Sequence, residues 1–149
     1  ANELNMSKIY DITLYDKLKA NSDSKNLLVD ILTEAFRTTY NYLAENDQQN
    51  LALLVVGGAW VEGMYLTCHV SEQAYNVAGI SRNLIEQKKS FDTFEEVTAS
   101  YKTDPGVADF LAKLEPIRKV YAGLTTSLTT QDIMNITKAI EEIRAQIIQ

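Results

Sequence analysis

Between Gln48 and Ser71 the sequence runs for 24 residues with a single formal charge, Glu62. The chain as a whole is 23% charged, so about five or six charges would be ordinary in a stretch of that length. A helix here is apolar all round rather than striped, and such a helix must be enclosed by other helices or by lipid. The part from Leu51 to Val70 has nearly the length needed to cross a bilayer. Against that, Glu62 sits near its middle, and Asn50, Thr67, His69 and three glycines dilute its hydropathy. The preferred reading is the central helix of a soluble bundle, at about residues 48–72. Gly57, Gly58, Ala59 and Gly63 fit that reading. Glycine costs about 1 kcal/mol per position inside a helix, so several together imply that neighbouring backbones come too close for side chains. Trp60 would fill space on another face.

The flanking sequence is helical in pattern. From Asp23 to Asn46, Leu27, Leu28, Ile31, Leu32, Ala35, Phe36 and Leu43 recur at the three- and four-residue spacings of one buried face. A shorter helix spans Ser7–Ala20, and Asp47 stands where it would cap the helix that follows. Ser90-Phe91-Asp92, with Glu95 three residues after Asp92, resembles a capping box and predicts a fresh start, leading to about Lys102. Asp104-Pro105 is a clearer start, and Pro116 inside the ensuing run predicts a kink or a split. The last helix begins near Thr129 and Asp132 and carries Ile133, Ile136, Ile140, Ile143 and Ile147 as a short heptad-like seam. No strand pattern, repeat or linker is visible. The expected fold is all-α, a single-domain bundle of five or six helices over residues 1–149.

Composition excludes more than it selects. Twenty acidic against 14 basic residues give a net charge of −6, which disfavours nucleic acid and anionic membrane surfaces as partners. Residues 1–75 carry most of that excess. One cysteine and one histidine cannot supply a structural zinc site or an intrachain disulfide. Cys68 reads as a buried structural thiol, because its neighbour His69 points about 100° away around a helix. Lone cysteine usage does not decide the compartment.

Glu62, His69 and Glu72 can share one stripe of the central helix, at spacings of seven and three. That permits an acid–base or metal site without specifying one, and a di-iron carboxylate bundle would need a second histidine. Neither catalytic residues, a resident metal nor a cofactor is therefore assigned. Glu62 must be paired, hydrogen-bonded or neutral if it is buried. A structural bond to a tyrosine hydroxyl, an arginine or a helix amino end is preferred over a role as ligand anchor. Should a ligand bind, Glu62, Trp60, Tyr65 and His69 are the candidate contacts, with the eight tyrosines as possible partners or groove lining.

The run Gly57-Gly58-Ala59-Trp60-Val61-Glu62-Gly63-Met64-Tyr65-Leu66-Thr67, with Glu45-Asn46-Asp47, Glu86-Gln87-Lys88 and Asp104-Pro105 in the same order, resembles a group of uncharacterised helical proteins. These are exported, lipid-anchored envelope proteins of gut-type Gram-negative bacteria, and the likeness spans essentially the whole chain. It departs at Pro116, where such proteins continue a helix, and at a shortened Thr125–Thr129 connector. The resemblance implies an extracytoplasmic location, in the periplasm or anchored at the outer membrane, and a longer precursor whose C-terminal part is this chain. Ala1–Met6 would then be the stump of a preceding helix. No activity is implied. The functional expectation is a non-catalytic binding or interaction module whose partner is a protein, a glycan or a small ligand. Membrane contact would come only through a lipid anchor in the precursor. The alternatives are a ligand- or metal-dependent protein using Glu62, His69 and Glu72, and a cytoplasmic location.

Overall fold

A computed structural model describes residues 12–71, 77–125 and 127–148. The protein is all-α, about 85% helical, with no strand among the described residues. Among the described residues seven α-helices follow one another: α1 (Ile12–Ala20), α2 (Lys25–Glu45), α3 (Gln49–Ser71), α4 (Val77–Thr98), α5 (Pro105–Lys113), α6 (Glu115–Ala122) and α7 (Thr130–Ile147). A 3₁₀ turn, Ala99–Tyr101, follows α4. Two of the seven are the halves of the run that Pro116 interrupts. The expected helix at Ala1–Met6 lies outside the described residues.

The chain divides into two compact units, Ala1–Ala52 and Leu53–Gln149. In the first, Leu43 and Thr39 on α2 are buried, and the Thr39 hydroxyl donates to the Ala35 carbonyl at 2.8 Å. Asp47 does not cap α3. It closes α2 at φ 57°, in the left-handed region, as the residue after the C-cap Asn46. The Asp47 amide donates to the Ala44 carbonyl (3.3 Å) and the Gln48 amide to the Leu43 carbonyl (2.8 Å). That is a Schellman closure with aspartate in the position usually held by glycine.

The second unit holds one continuous core. Val61, Met64 and Cys68 of α3 pack with Leu84 and Phe91 of α4, Val107, Phe110, Leu111 and Leu114 from the α5 stretch, Ile117 and Tyr121 of α6, and Ile136, Ile140 and Ile143 of α7. The isoleucine seam thus forms as its spacing predicts, except that Ile133 is only partly buried and Ile147 is 37% exposed. Helix starts follow local chemistry. The Asp104 carboxylate accepts from the Val107 amide at 2.9 Å ahead of Pro105, and Thr129 with Asp132 forms a reciprocal capping box. At Ser90-Phe91-Asp92 no new helix starts. α4 runs straight through, because Phe91 is pulled into the core (2% exposed), while Asp92 accepts from Lys88 one turn back at 2.7 Å.

α3 is less enclosed than a central helix would be. Over the stretch Gln49–His69, long and apolar enough by length and composition to be a borderline membrane-span candidate, only about a third of the residues are buried inside the protein. The glycines divide accordingly. A Cβ on Gly57 would stand 2.3 Å from the Phe110 ring and 2.9 Å from the Phe94 ring, so the close approach is real but comes from aromatic rings and not from backbone. Gly58 and Gly63 meet nothing within 4 Å, and the expectation that they admit a neighbouring backbone is not met.

Candidate functional site

Along α3, Glu62, Tyr65 and His69 stand at three- and four-residue spacings and share one stripe. Glu141 and Arg144 are three apart on α7. Each follows an isoleucine of the buried seam, so the seam that packs α7 into the core also carries these two charges along its border. The two stripes meet as a ladder.

Its first rung joins Arg144 to Glu62. Nε donates to Oε2 at 2.6 Å and Nη2 to Oε1 at 3.2 Å, a two-point contact that fixes both planes. The same guanidinium lies over the Tyr65 ring, with its central carbon 4.2 Å from the ring centroid. His69 stacks on Tyr65 at 4.0 Å between centroids. Its Nδ1 is 2.8 Å from the Tyr65 carbonyl oxygen and its Nε2 3.1 Å from Glu141 Oε1, which forms the last rung.

Glu62 is not the buried carboxylate that its apolar surroundings suggested. Its side chain is 45% exposed against 29% for Arg144, because the stripe lies at the edge of the α3–α7 contact. Of the partners foreseen for it, the arginine is the one present. The hydrogen bond from Arg144, more than its charge, holds the Glu62 carboxyl below the usual carboxylate range, with partial desolvation opposing. A lowered value means that the rung adds stability above the unfolded-state titration of a glutamate, and that this contribution is lost as pH falls through the folded one. In return the carboxylate raises Arg144.

Trp60 lies apart from this ladder. Its ring packs on Phe91 (5.3 Å) and Tyr121 (6.5 Å), and its indole nitrogen and the Tyr121 hydroxyl are buried without a hydrogen-bond partner. Burial pushes the Tyr121 hydroxyl well above its usual range. Trp60 is thus placed with the core aromatics, and the residues brought together are Glu62, Tyr65 and His69. Arg144 and Glu141 were not singled out from sequence. The only signal for them was their position beside the isoleucine seam, where charges commonly border a helix interface.

Chemically the ladder holds and presents side chains. Both Glu62 oxygens are taken by one guanidinium, Cys68 is buried in the core, and His69 is engaged by Tyr65 and Glu141. Among the described residues, no three His, Cys, Asp or Glu side chains gather closely enough to hold a metal ion, and Glu72 lies outside the described residues. A shallow cleft elsewhere is lined by Glu95, Lys102, Leu111 and Arg118, and its Arg118 is already engaged. Arg118 pairs with Glu95 at 2.6 Å and with Glu115, and also donates to the Leu111 carbonyl.

No family model, curated protein or solved structure matches the chain.

Proposed function

We propose that the chain is a non-catalytic helical binding or interaction module of an exported envelope protein. One observation carries the reading: Glu62, Tyr65, His69 and Arg144 are pinned to one another yet stay partly open to solvent. Beside them on α3 lie the exposed Ala59 and Gly63 and Leu66, which is 53% exposed. Pre-ordered aromatic and arginine side chains next to an uncovered apolar strip are suited to contact, since little conformational freedom remains to be lost on association. The partner is a protein, a glycan or a small ligand. Net charge of −6 argues against nucleic acid, and membrane association would come through a lipid anchor of the precursor. Extracytoplasmic location rests on the sequence resemblance.

The ligand- or metal-dependent alternative requires Glu62 to leave Arg144. Affinity capture from envelope extract with the wild type and Glu62→Gln, together with metal analysis of the purified wild type, tests the proposal. A component retained by the wild type and held more weakly by the variant is expected, because Glu62→Gln removes the charge-assisted pair that fixes Arg144 over the Tyr65 ring. Stoichiometric metal in the purified wild-type protein, or capture that is equal for both forms and for an unrelated acidic helical protein, would contradict the proposal.

A further inference from the structure

Trp60 and Tyr121 carry two hydrogen-bond donors into the core with no protein acceptor for either. The indole nitrogen and the hydroxyl oxygen are both buried and unpaired, and Tyr121 is only 3% exposed. They belong to neighbouring rings on α3 and α6, 6.5 Å apart between centroids, with Phe91 of α4 against both. Buried polar groups are almost always hydrogen-bonded, to protein or to ordered water, because their lost hydration otherwise goes uncompensated. The chemistry of the pair narrows what it can hold. An indole N–H only donates, and a hydroxyl both donates and accepts. Burial holds the Tyr121 hydroxyl well above its usual range, with Cys68 and Asp92 adding to the effect, so the group keeps its proton and stays neutral. Asp92 itself is 55% exposed and already takes the Lys88 ammonium. A charged guest would be stripped of water with no counter-charge beside it. The guest is therefore neutral, small and able to accept, which describes water.

We propose an internal hydration site at the junction of α3, α4 and α6, where bound water accepts from the Trp60 indole N–H and the Tyr121 hydroxyl. The site is separate from the α3 edge and does not depend on the functional reading above. A single water asks for only about 10–15 Å³, and the three rings, inclined at 40°, 63° and 65° to one another, do not close flat. About one buried water per 27 residues is usual, so a core of this size holds one without being unusual. The hydrogens of the water can go to the Tyr121 oxygen or to the sulfur of Cys68, which lies in the same core cluster and accepts weakly. Bound there, water ties α6 to α3 by hydrogen bonds in a core otherwise held by apolar contact.

Proton NMR of the wild type tests the Trp60 half, at the one indole N–H that the chain has. The expected result is a cross-peak between the water line and the Trp60 indole proton, with the sign of dipolar contact with a long-lived bound water and not of exchange with solvent. This readout needs no variant to fold. Tyr121→Phe tests the other half, since it keeps the ring and removes the hydroxyl. Its thermal midpoint is expected to fall by about 2–4 °C, the scale of one lost hydrogen bond in a chain of this size. An indole proton without the dipolar cross-peak would overturn the site. So would a Tyr121→Phe midpoint equal to or above that of the wild type, because replacing an unsatisfied buried hydroxyl by apolar carbon relieves a penalty instead of breaking a bond.

Discussion

Phe91→Ala is expected to lower unfolding stability by about 3–5 kcal/mol, the usual cost of emptying a well-packed aromatic site. Phe91 is 2% exposed, and its ring stands 5.3 Å from Trp60 and 5.4 Å from Tyr121. Removing it takes away a wall shared by α3, α4 and α6 and leaves a void bordered by two rings that cannot both move in. Urea denaturation followed by Trp60 fluorescence measures the loss directly, because the chain has one tryptophan and it touches the deleted ring. A cost under about 1 kcal/mol would mean that α4 is not packed along this line.

The second large effect is expected at Gly57. Leucine there has to displace the Phe110 and Phe94 rings, which stand 2.3 and 2.9 Å from the first added atom, and should cost about 3 kcal/mol, the upper part of the range for overpacked cores. Gly58→Ala and Gly63→Ala should do the opposite. Their added methyls meet nothing, so each is expected to stabilise the protein by about 0.5–1 kcal/mol through helix propensity alone. Denaturant midpoints of the three variants give an internally controlled comparison, since all three change a glycine on the same helix. Equal effects at Gly57 and Gly58 would contradict the described packing of α3.

That contrast also marks how far the sequence could be read. What depends on neighbours in the chain was legible: the apolar run of α3, the Asp104-Pro105 start, the break at Pro116 and the Thr129–Asp132 box are local, and each formed as its chemistry predicts. Two local signals were outweighed. The start expected at Asp92 yields to burial of Phe91, and Asp47 serves the end of α2 and not the start of α3. Non-local pairing was the part out of reach. Glu62 announced its need for a partner, but Arg144 lies 82 residues away, and nothing in either helix alone specifies the match. The glycines show the same limit from another side. Gly57, Gly58 and Gly63 are equivalent in composition, yet only one faces a crowded neighbour, because three residues at these spacings point in different directions around a helix. Trp60 was grouped with Tyr65 and His69 by proximity in sequence, and the turn of the helix sends it to the core aromatics instead.

The edge of α3 beside the Glu62–Arg144 rung is proposed as a surface for contact. Photocrosslinking tests it most directly, with a benzophenone amino acid placed at Leu66, which is 53% exposed on that edge, and separately at the exposed Lys138 on α7 as a control. The Leu66 position is expected to yield one discrete adduct in envelope extract. That adduct should be lost on adding excess unlabelled wild-type protein and weakened when Glu62→Gln is combined with the label. A Leu66 position that yields no adduct beyond the Lys138 control, or only adducts that excess wild-type protein does not displace, would contradict it.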